Sequence, residues 1–340
     1  MVTPSALELG AQNVVQSYLA ARPGEVLVIV HNKAEELVGL LRRAASDADV
    51  STDVISAEEL SRMGQGLAGA SVDRAMSRGG PVIWIAEPGL PNWVVHMVKN
   101  RANRHQCRHL HVPHADRRLF EQSIRAAPDE LAAINQRVVR LLSAAATITV
   151  TSQAGTDLEI RLDPRFPLVE LCGRPAPGET HWLPAGQVYT HPVSVTGTFV
   201  ADRGVLIAGS SSERSIGRAH PGRFELTRGF VRAATCDIPS EQAALDEYFA
   251  SDTHARRVAS VIVPTNYLVR AEIGHRAQDG LLPGLNMNLG FADDATHAPF
   301  KTTVQMCLYA RNLTVMADDR VLVQKGRFTP LVLQGESPFR

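Results

Sequence analysis

Apolar and polar positions follow two rhythms along the chain, and the change falls near residue 147. Before it, short apolar runs alternate with amphipathic stretches. Leu7, Leu9, Val14, Val15, Tyr18 and Leu19 make an apolar stripe at helical spacing over residues 5–21, and Pro23-Gly24 ends it. EVLVIVH (25–31) reads as a buried strand and residues 34–45 as a helix. Strands follow at 54–56, 81–86 and 110–113, with helices at 91–103, 115–126 and 129–145. This β-then-α alternation predicts a mostly parallel sheet covered by helices.

After residue 147 the runs shorten and alternate with period two, broken by Gly, Pro and Asp. Strands are expected at 147–151, 157–162, 187–190, 197–202, 205–209, 223–226 and 230–235. Ala154-Gly155 and Arg228-Gly229 suit hairpin turns. Residues 240–260 read as one helix, and strands resume at 304–309, 314–317 and 320–323. The pattern predicts two domains: an α/β domain at 1–146 with a mostly parallel sheet, and a β-rich, barrel-like domain at 147–340 that carries the site.

Composition narrows the function. Thirty-five basic residues balance 35 acidic ones, so no net charge favours nucleic acid or an anionic membrane as partner. No apolar run is long enough to span a bilayer, and the N-terminal residues carry no secretory pattern. Cys107, Cys172, Cys236 and Cys307 are widely spaced, with no C-x-x-C, as expected of reduced thiols in the cytoplasm. The first strand-to-helix loop, His31-Asn32-Lys33, has neither G-x-G-x-x-G nor a P-loop, and no G-x-S-x-G elbow occurs. The first domain is therefore expected to be a scaffold or an oligomer contact.

HWLPAGQVYTHPVSVTGTFVAD (181–202) gathers His181, Gln187 and His191 at a Pro-Gly break between β-rich runs, which suits a pocket lip. The stretch resembles the segment "(N/H)-x-P-(A/S)-G-(E/F)-x-(F/Y)-T-x-P … G-T" shared by the M29 metallo-aminopeptidases and the 2,5-dihydroxypyridine 5,6-dioxygenases. The likeness runs from about residue 154 to 328. It implies their two-domain fold, a small-molecule substrate, and a homodimer or larger homo-oligomer.

The resemblance also implies metal ligands, and here the sequence departs from both families. The peptidases hold paired divalent ions, and the dioxygenases hold one ferrous ion with two histidines and an aspartate. The peptidase glutamate of PAGEVFT falls on Gln187. The L-G-E-x-A-x-G glutamate matches Glu272, the histidine of GTxHxALG falls on Asn286, and the terminal His-x-Asp pair falls on Gln305 and Cys307. One strong ligand of four does not hold a catalytic ion. The expectation is an enzyme with no metal cofactor, performing hydrolysis, a lyase step or a cyclisation on a small polar molecule. Glu272, His181 and Glu170 would be its acid/base groups. Gln187, His275, Arg276, Asn286, Gln305 and Cys307 would contact the substrate.

Two alternatives stand beside that reading. One divalent ion, zinc or iron, held by Cys307, Glu272 and His275 or His297, would preserve a peptidase or ring-cleaving activity. A non-catalytic binding protein would have kept the fold alone. Individual residues also have plainer readings. Glu272 suits an ion pair with Arg270 or Arg276, and Cys307 in VQMCLY suits a packed thiol. His105, Cys107, His109, His111 and His114 do not match closed zinc spacings and read as polar edge residues. Ser210, Ser211 and Ser212 and residues 284–288 read as polar loops near the site.

Overall fold

The apolar runs of the first half become parallel strands because both of their faces are covered by helices. In the computed structural model, which describes residues 3–86, 89–208 and 216–334, β1 (Val26–Asn32), β2 (Ser51–Ser56), β3 (Gly80–Ala86) and β4 (Cys107–Pro113) pair in parallel. A fifth strand, Thr180–Trp182, joins the far side of β4. The order is β2, β1, β3, β4 and then that strand. Helices α1 (Ala6–Gln12), α2 (Glu35–Ser46), α3 (Ala57–Arg62), α4 (Gln65–Met76) and α5 (Asn92–Arg104) alternate with them. Val28, Val30, Val82 and Trp84 pack on one face against Leu60, Val72, Met76 and Val98. The stripe expected over residues 5–21 is one run, but it changes from α1 to a π-helical turn at Asn13–Tyr18. There Asn13 Nδ2 donates to the carbonyls of Ile124 and Ala126, and the Tyr18 hydroxyl donates to that of Ala126.

Several expectations are corrected. Residues 115–126 form α6 (Arg117–Glu121) and a separate 3-10 turn, Ser123–Arg125, because Gln122 leaves helical geometry. Residues 240–260 divide into a helix, Pro239–Ser251, and a strand, Val258–Pro264, whose β-branched run outweighs the helical spacing before it. Of residues 284–288, read as loop, the last three open a strand, Asn286–Gly290, in which Met287 and Leu289 are fully buried. Helices α3 and α4 were not foreseen. Ser210, Ser211 and Ser212 lie outside the described residues.

The chain forms two compact units. The first holds residues 1–131, 171–186 and 272–279, and the second holds 132–170, 187–271 and 280–340. The sequence reading cuts the chain once, at 146. Helix α7 (Pro128–Ser143) explains the earlier boundary, since Ile134, Val138, Leu141 and Leu142 pack into the core of the second unit. The segments 171–186 and 272–279 return to the first unit, where sheet pairing and side-chain hydrogen bonds hold them.

The second unit contains two antiparallel sheets. Its strands are β5 (Thr147–Thr151), β6 (Asp157–Arg161), β7 (Val169–Leu171, which reaches the boundary), β9 (Gln187–Thr190), β10 (Ser194–Ala201), β11 (Gly204–Ile207), β12 (Gly222–Thr227) and β13 (Phe230–Thr235). The set continues with β14 (Val258–Pro264), β15 (Asn286–Gly290), β16 (Gln305–Tyr309), β17 (Thr314–Ala317), β18 (Arg320–Gln324) and β19 (Arg327–Phe328), and β8 is the Thr180–Trp182 strand of the first unit. One sheet runs β13-β12-β10-β6-β5-β17-β18-β19 and the other β11-β16-β15-β14-β9-β7. Both orders are open, so the region expected to be β-rich and barrel-like is built from a pair of antiparallel sheets. They share one core: Ile148, Leu158 and Phe199 of the first sheet cluster with Val188, Val261, Met287 and Leu308 of the second. Arg228 and Gly229, at φ 51° and 79°, form the two-residue turn between β12 and β13. Gly197, at φ 121°, lets β6 approach so closely that a Cβ there would lie 2.1 Å from the Asp157 carbonyl oxygen.

Candidate active site

The sequence-predicted residues divide between the units. His181, Glu272, His275 and Arg276 belong to the first, and Glu170, Gln187, Asn286, Gln305 and Cys307 to the second.

In the first unit, β8 places His181 opposite Leu110 of β4. Its Nε2 lies 3.3 Å from Glu179 Oε2, while Nδ1 is buried with no hydrogen-bond partner among the described residues. Glu179 was not foreseen in the sequence. It closes the PAPG turn, where its carboxylate accepts from the Ala176 N–H at 2.9 Å and its own N–H donates to the Ala176 carbonyl. That anchored carboxylate favours the proton on Nε2 and leaves Nδ1 as a bare lone pair. Burial lowers the pKa of His181 below the ordinary imidazole value, and Glu179 offsets part of that shift.

The segment 272–279 carries a second imidazole in a similar state. His275 Nε2 lies 2.8 Å from the His114 carbonyl, so Nε2 bears the proton, and its Nδ1 is buried without a partner. Arg118 Nη1 donates to the Ile273 carbonyl at 2.6 Å, and the Asp279 carboxylate accepts from the N–H groups of Ile273 and Gly274. Glu272 and Arg276 are exposed. Glu272, expected as an acid/base group, thus lacks the burial that would raise its carboxyl.

The histidines of β4 are interior rather than edge residues, because β8 covers the open side of their strand. His109 Nδ1 lies 3.1 Å from Thr180 Oγ1, whose hydroxyl donates to Asn103 Oδ1. His111 stacks between Trp84 and Trp182, with ring centroids at 5.7 and 4.3 Å. Burial pushes both imidazoles down to about 3, so they are neutral packing groups at neutral pH. His105 instead sits 2.7 Å from Asp73, which also pairs with Arg101.

In the second unit, alternation along the six-stranded sheet sends Met306 and Leu308 into the core and leaves Gln305, Cys307 and Tyr309 on the other face. Cys307 stands opposite Asn288, and Asn288 opposite Ser260. Asn286 and Tyr189 both face Ile262, and Gln187 faces Pro264. The candidate face is thus a row of amides, hydroxyls and one thiol. Some of its groups are already engaged: Asn286 Nδ2 donates to the Gly280 carbonyl at 2.6 Å, and the Tyr189 hydroxyl lies 2.9 Å from Asp293 Oδ2. Burial pushes the Cys307 thiol up to about 11, so it keeps its proton at neutral pH. Glu170, on β7, is exposed, and partial desolvation raises its carboxyl.

This donor set does not fit the metal that the resemblance implies. Neutral amides stand at Gln187, Asn286 and Gln305 and a single thiol at Cys307, whereas zinc and ferrous iron take about three ligands from imidazole, carboxylate and thiolate. Among the described residues, no group of three His, Cys, Asp or Glu side chains is placed to hold an ion.

Two solved structures match nearly the whole chain. The 2,5-dihydroxypyridine dioxygenase from Pseudomonas putida KT2440 aligns over 98% of this chain and 100% of its own, with a TM-score of 0.63 and 15% identity. AmpT from Thermus thermophilus aligns over 95% and 99%, with a TM-score of 0.62 and 16% identity. The chain has the fold of the 2,5-dihydroxypyridine dioxygenases and M29 aminopeptidases. The sequence pattern of the 2,5-dihydroxypyridine 5,6-dioxygenase family matches residues 100–259. That match includes Glu170, His181 and Gln187 and stops before Glu272, Gln305 and Cys307. No curated protein matches the chain by sequence.

Proposed function

We propose that this chain is an enzyme that acts on a small polar molecule by proton transfer and without a bound metal. The observation that carries the reading is the row of amides on the six-stranded sheet, where Gln187, Asn286 and Gln305 stand in place of ionic donors. Such side chains suit hydrogen bonds to a polar, uncharged group, with Gln187 and Gln305 as the recognising residues. His181 is the leading acid/base group. Its bare Nδ1 accepts a proton, and Glu179 stabilises the imidazolium that results. Because burial disfavours the charged ring, His181 is unprotonated, and so competent as a base, at neutral pH. Glu170, with its raised carboxyl, supplies a second group able to carry a proton. Hydrolysis, elimination and ring closure all need such transfers.

The test joins metal content with turnover. Untagged protein, purified without chelator and dialysed, is expected to hold less than about a tenth of an equivalent of any transition metal. Incubated with a fractionated extract of polar metabolites, it is expected to consume a compound that the His181→Gln variant leaves intact, with no effect of added chelator. One equivalent of a single metal, with turnover lost on chelation and regained on reloading, would overturn the reading.

A further inference from the structure

We propose that the free edge of β2 is a self-association surface. Two copies pair antiparallel through their β2 strands, centred on Val54, and extend the parallel sheet of the first unit across a twofold axis.

The strand is an edge whose one charged residue is Asp53. It pairs with β1 in unbroken register, from Val26 with Ser51 to His31 with Ser56, and ends the sheet order on its other side. Its sequence STDVIS has no Pro, no Lys and no bulge, the devices that normally blunt an edge. Val54 and Met63 beside it are 38% and 40% exposed.

Charge selects the occupant. A cleft of about 550 Å³ between β2 and helices α3 and α4 is lined by Asp53 and Glu59 together with Arg74 and Arg78. Asp53, Arg74 and Arg78 make no ion pair among the described residues. A twofold interface meets itself, so it must carry both members of each charge pair, as this patch does.

The register follows from geometry. A twofold axis perpendicular to the sheet preserves its two faces. Centring on Val54 then sets Val54 opposite its counterpart, Asp53 opposite Ile55 and Thr52 opposite Ser56. Asp53 and Ile55 share the face of Val28 and Val30, which is the face covered by α3 and α4. Each Asp53 is thereby directed to the side on which the other copy carries Arg74 and Arg78, and the two Val54 side chains cover one another.

The experiment uses the full chain. Val54→Cys is oxidised mildly and compared with Val193→Cys, whose position in the second unit is 46% exposed. Pairing raises the local concentration of the two introduced thiols, so covalent dimer is expected to form about tenfold faster, or more, at position 54. Light scattering is expected to give a lower mass for Val54→Lys than for the parent, while circular dichroism and the melting temperature stay unchanged. Equal cross-linking at both positions, or a mass that Val54→Lys does not alter, would overturn the proposal. A parent chain that is monomeric at tens of micromolar would overturn it too, and would leave the edge to a foreign extended segment.

Discussion

The two units handle polarity in opposite ways. The first buries histidines: His109, His111, His181 and His275 each have a ring atom or a whole ring removed from water. The second presents amides, hydroxyls and a protonated thiol on one sheet face while its other face forms the apolar core. Buried imidazoles respond to pH and can move protons, whereas neutral amides keep one state and discriminate by hydrogen-bond geometry. In this molecule the first unit supplies His181 as the leading proton carrier, and the second supplies the row of amides together with Glu170.

The largest expected effect separates those two capacities. His181→Gln is expected to lower the rate of turnover by about 10²–10⁴-fold at saturating substrate, because it removes the acid/base group. Gln305→Ala is expected to act mainly on KM. Equal effects on kcat and KM from both variants would break the division. Steady-state kinetics on the substrate found by metabolite screening measures both.

Next in size are substitutions in the second unit. Gly197→Ala meets the Asp157 carbonyl at a backbone angle that L residues rarely adopt, and is expected to cost roughly 2–6 kcal/mol in denaturant unfolding. Neighbours on one strand sharpen the contrast between the faces. Met306→Ala opens the core and is expected to cost about 2–5 kcal/mol, whereas Cys307→Ala is expected to cost about 1 kcal/mol or less.

The first unit should reveal itself through pH. His109 and His111 titrate near 6.5 when unfolded and near 3 when folded. Between those values the unfolded chain binds more protons, so stability falls as pH falls, starting near 6.5 and continuing towards 3. Each ring is expected to contribute about 1–2 kcal/mol of loss between pH 7 and pH 5. His111→Phe keeps an aromatic ring between Trp84 and Trp182 and cannot be protonated, so it should remove part of that slope in urea melts at the two pH values.

The fold was legible wherever one periodicity acted alone. Residues 147–151 and 314–317 alternate cleanly and are strands within those bounds. Where two patterns adjoin, the sequence misled: the helical spacing before residue 251 was carried on to 260, across the β-branched run that forms β14. Residues 284–288 read as a loop because Gly284 precedes asparagines that flank Met287, yet Asn286, Met287 and Asn288 alternate as the start of a strand with one polar face does. The candidate site was legible as residue types and illegible as an arrangement. Nothing in chain order shows that His181 and His275 fold with residues 1–131, since that membership comes from pairing with β4 and from the His114 carbonyl. Glu179 carried a signal that was passed over, a carboxylate two residues before a histidine and directly after a Pro-x-Pro-Gly turn.

The return of residues 171–186 and 272–279 to the first unit has a consequence for the order of events during synthesis. The part of the protein that begins to leave the ribosome first is not complete until residue 279 has been made. Strand β4 is made by residue 113, yet the strand that covers its edge is finished only at residue 182, and the His275 segment at 279. At about 5–20 residues per second, that edge waits several seconds or longer for its neighbour. Throughout that interval His109 lacks Thr180, and the nascent sheet presents open backbone groups at its β4 border as well as at β2.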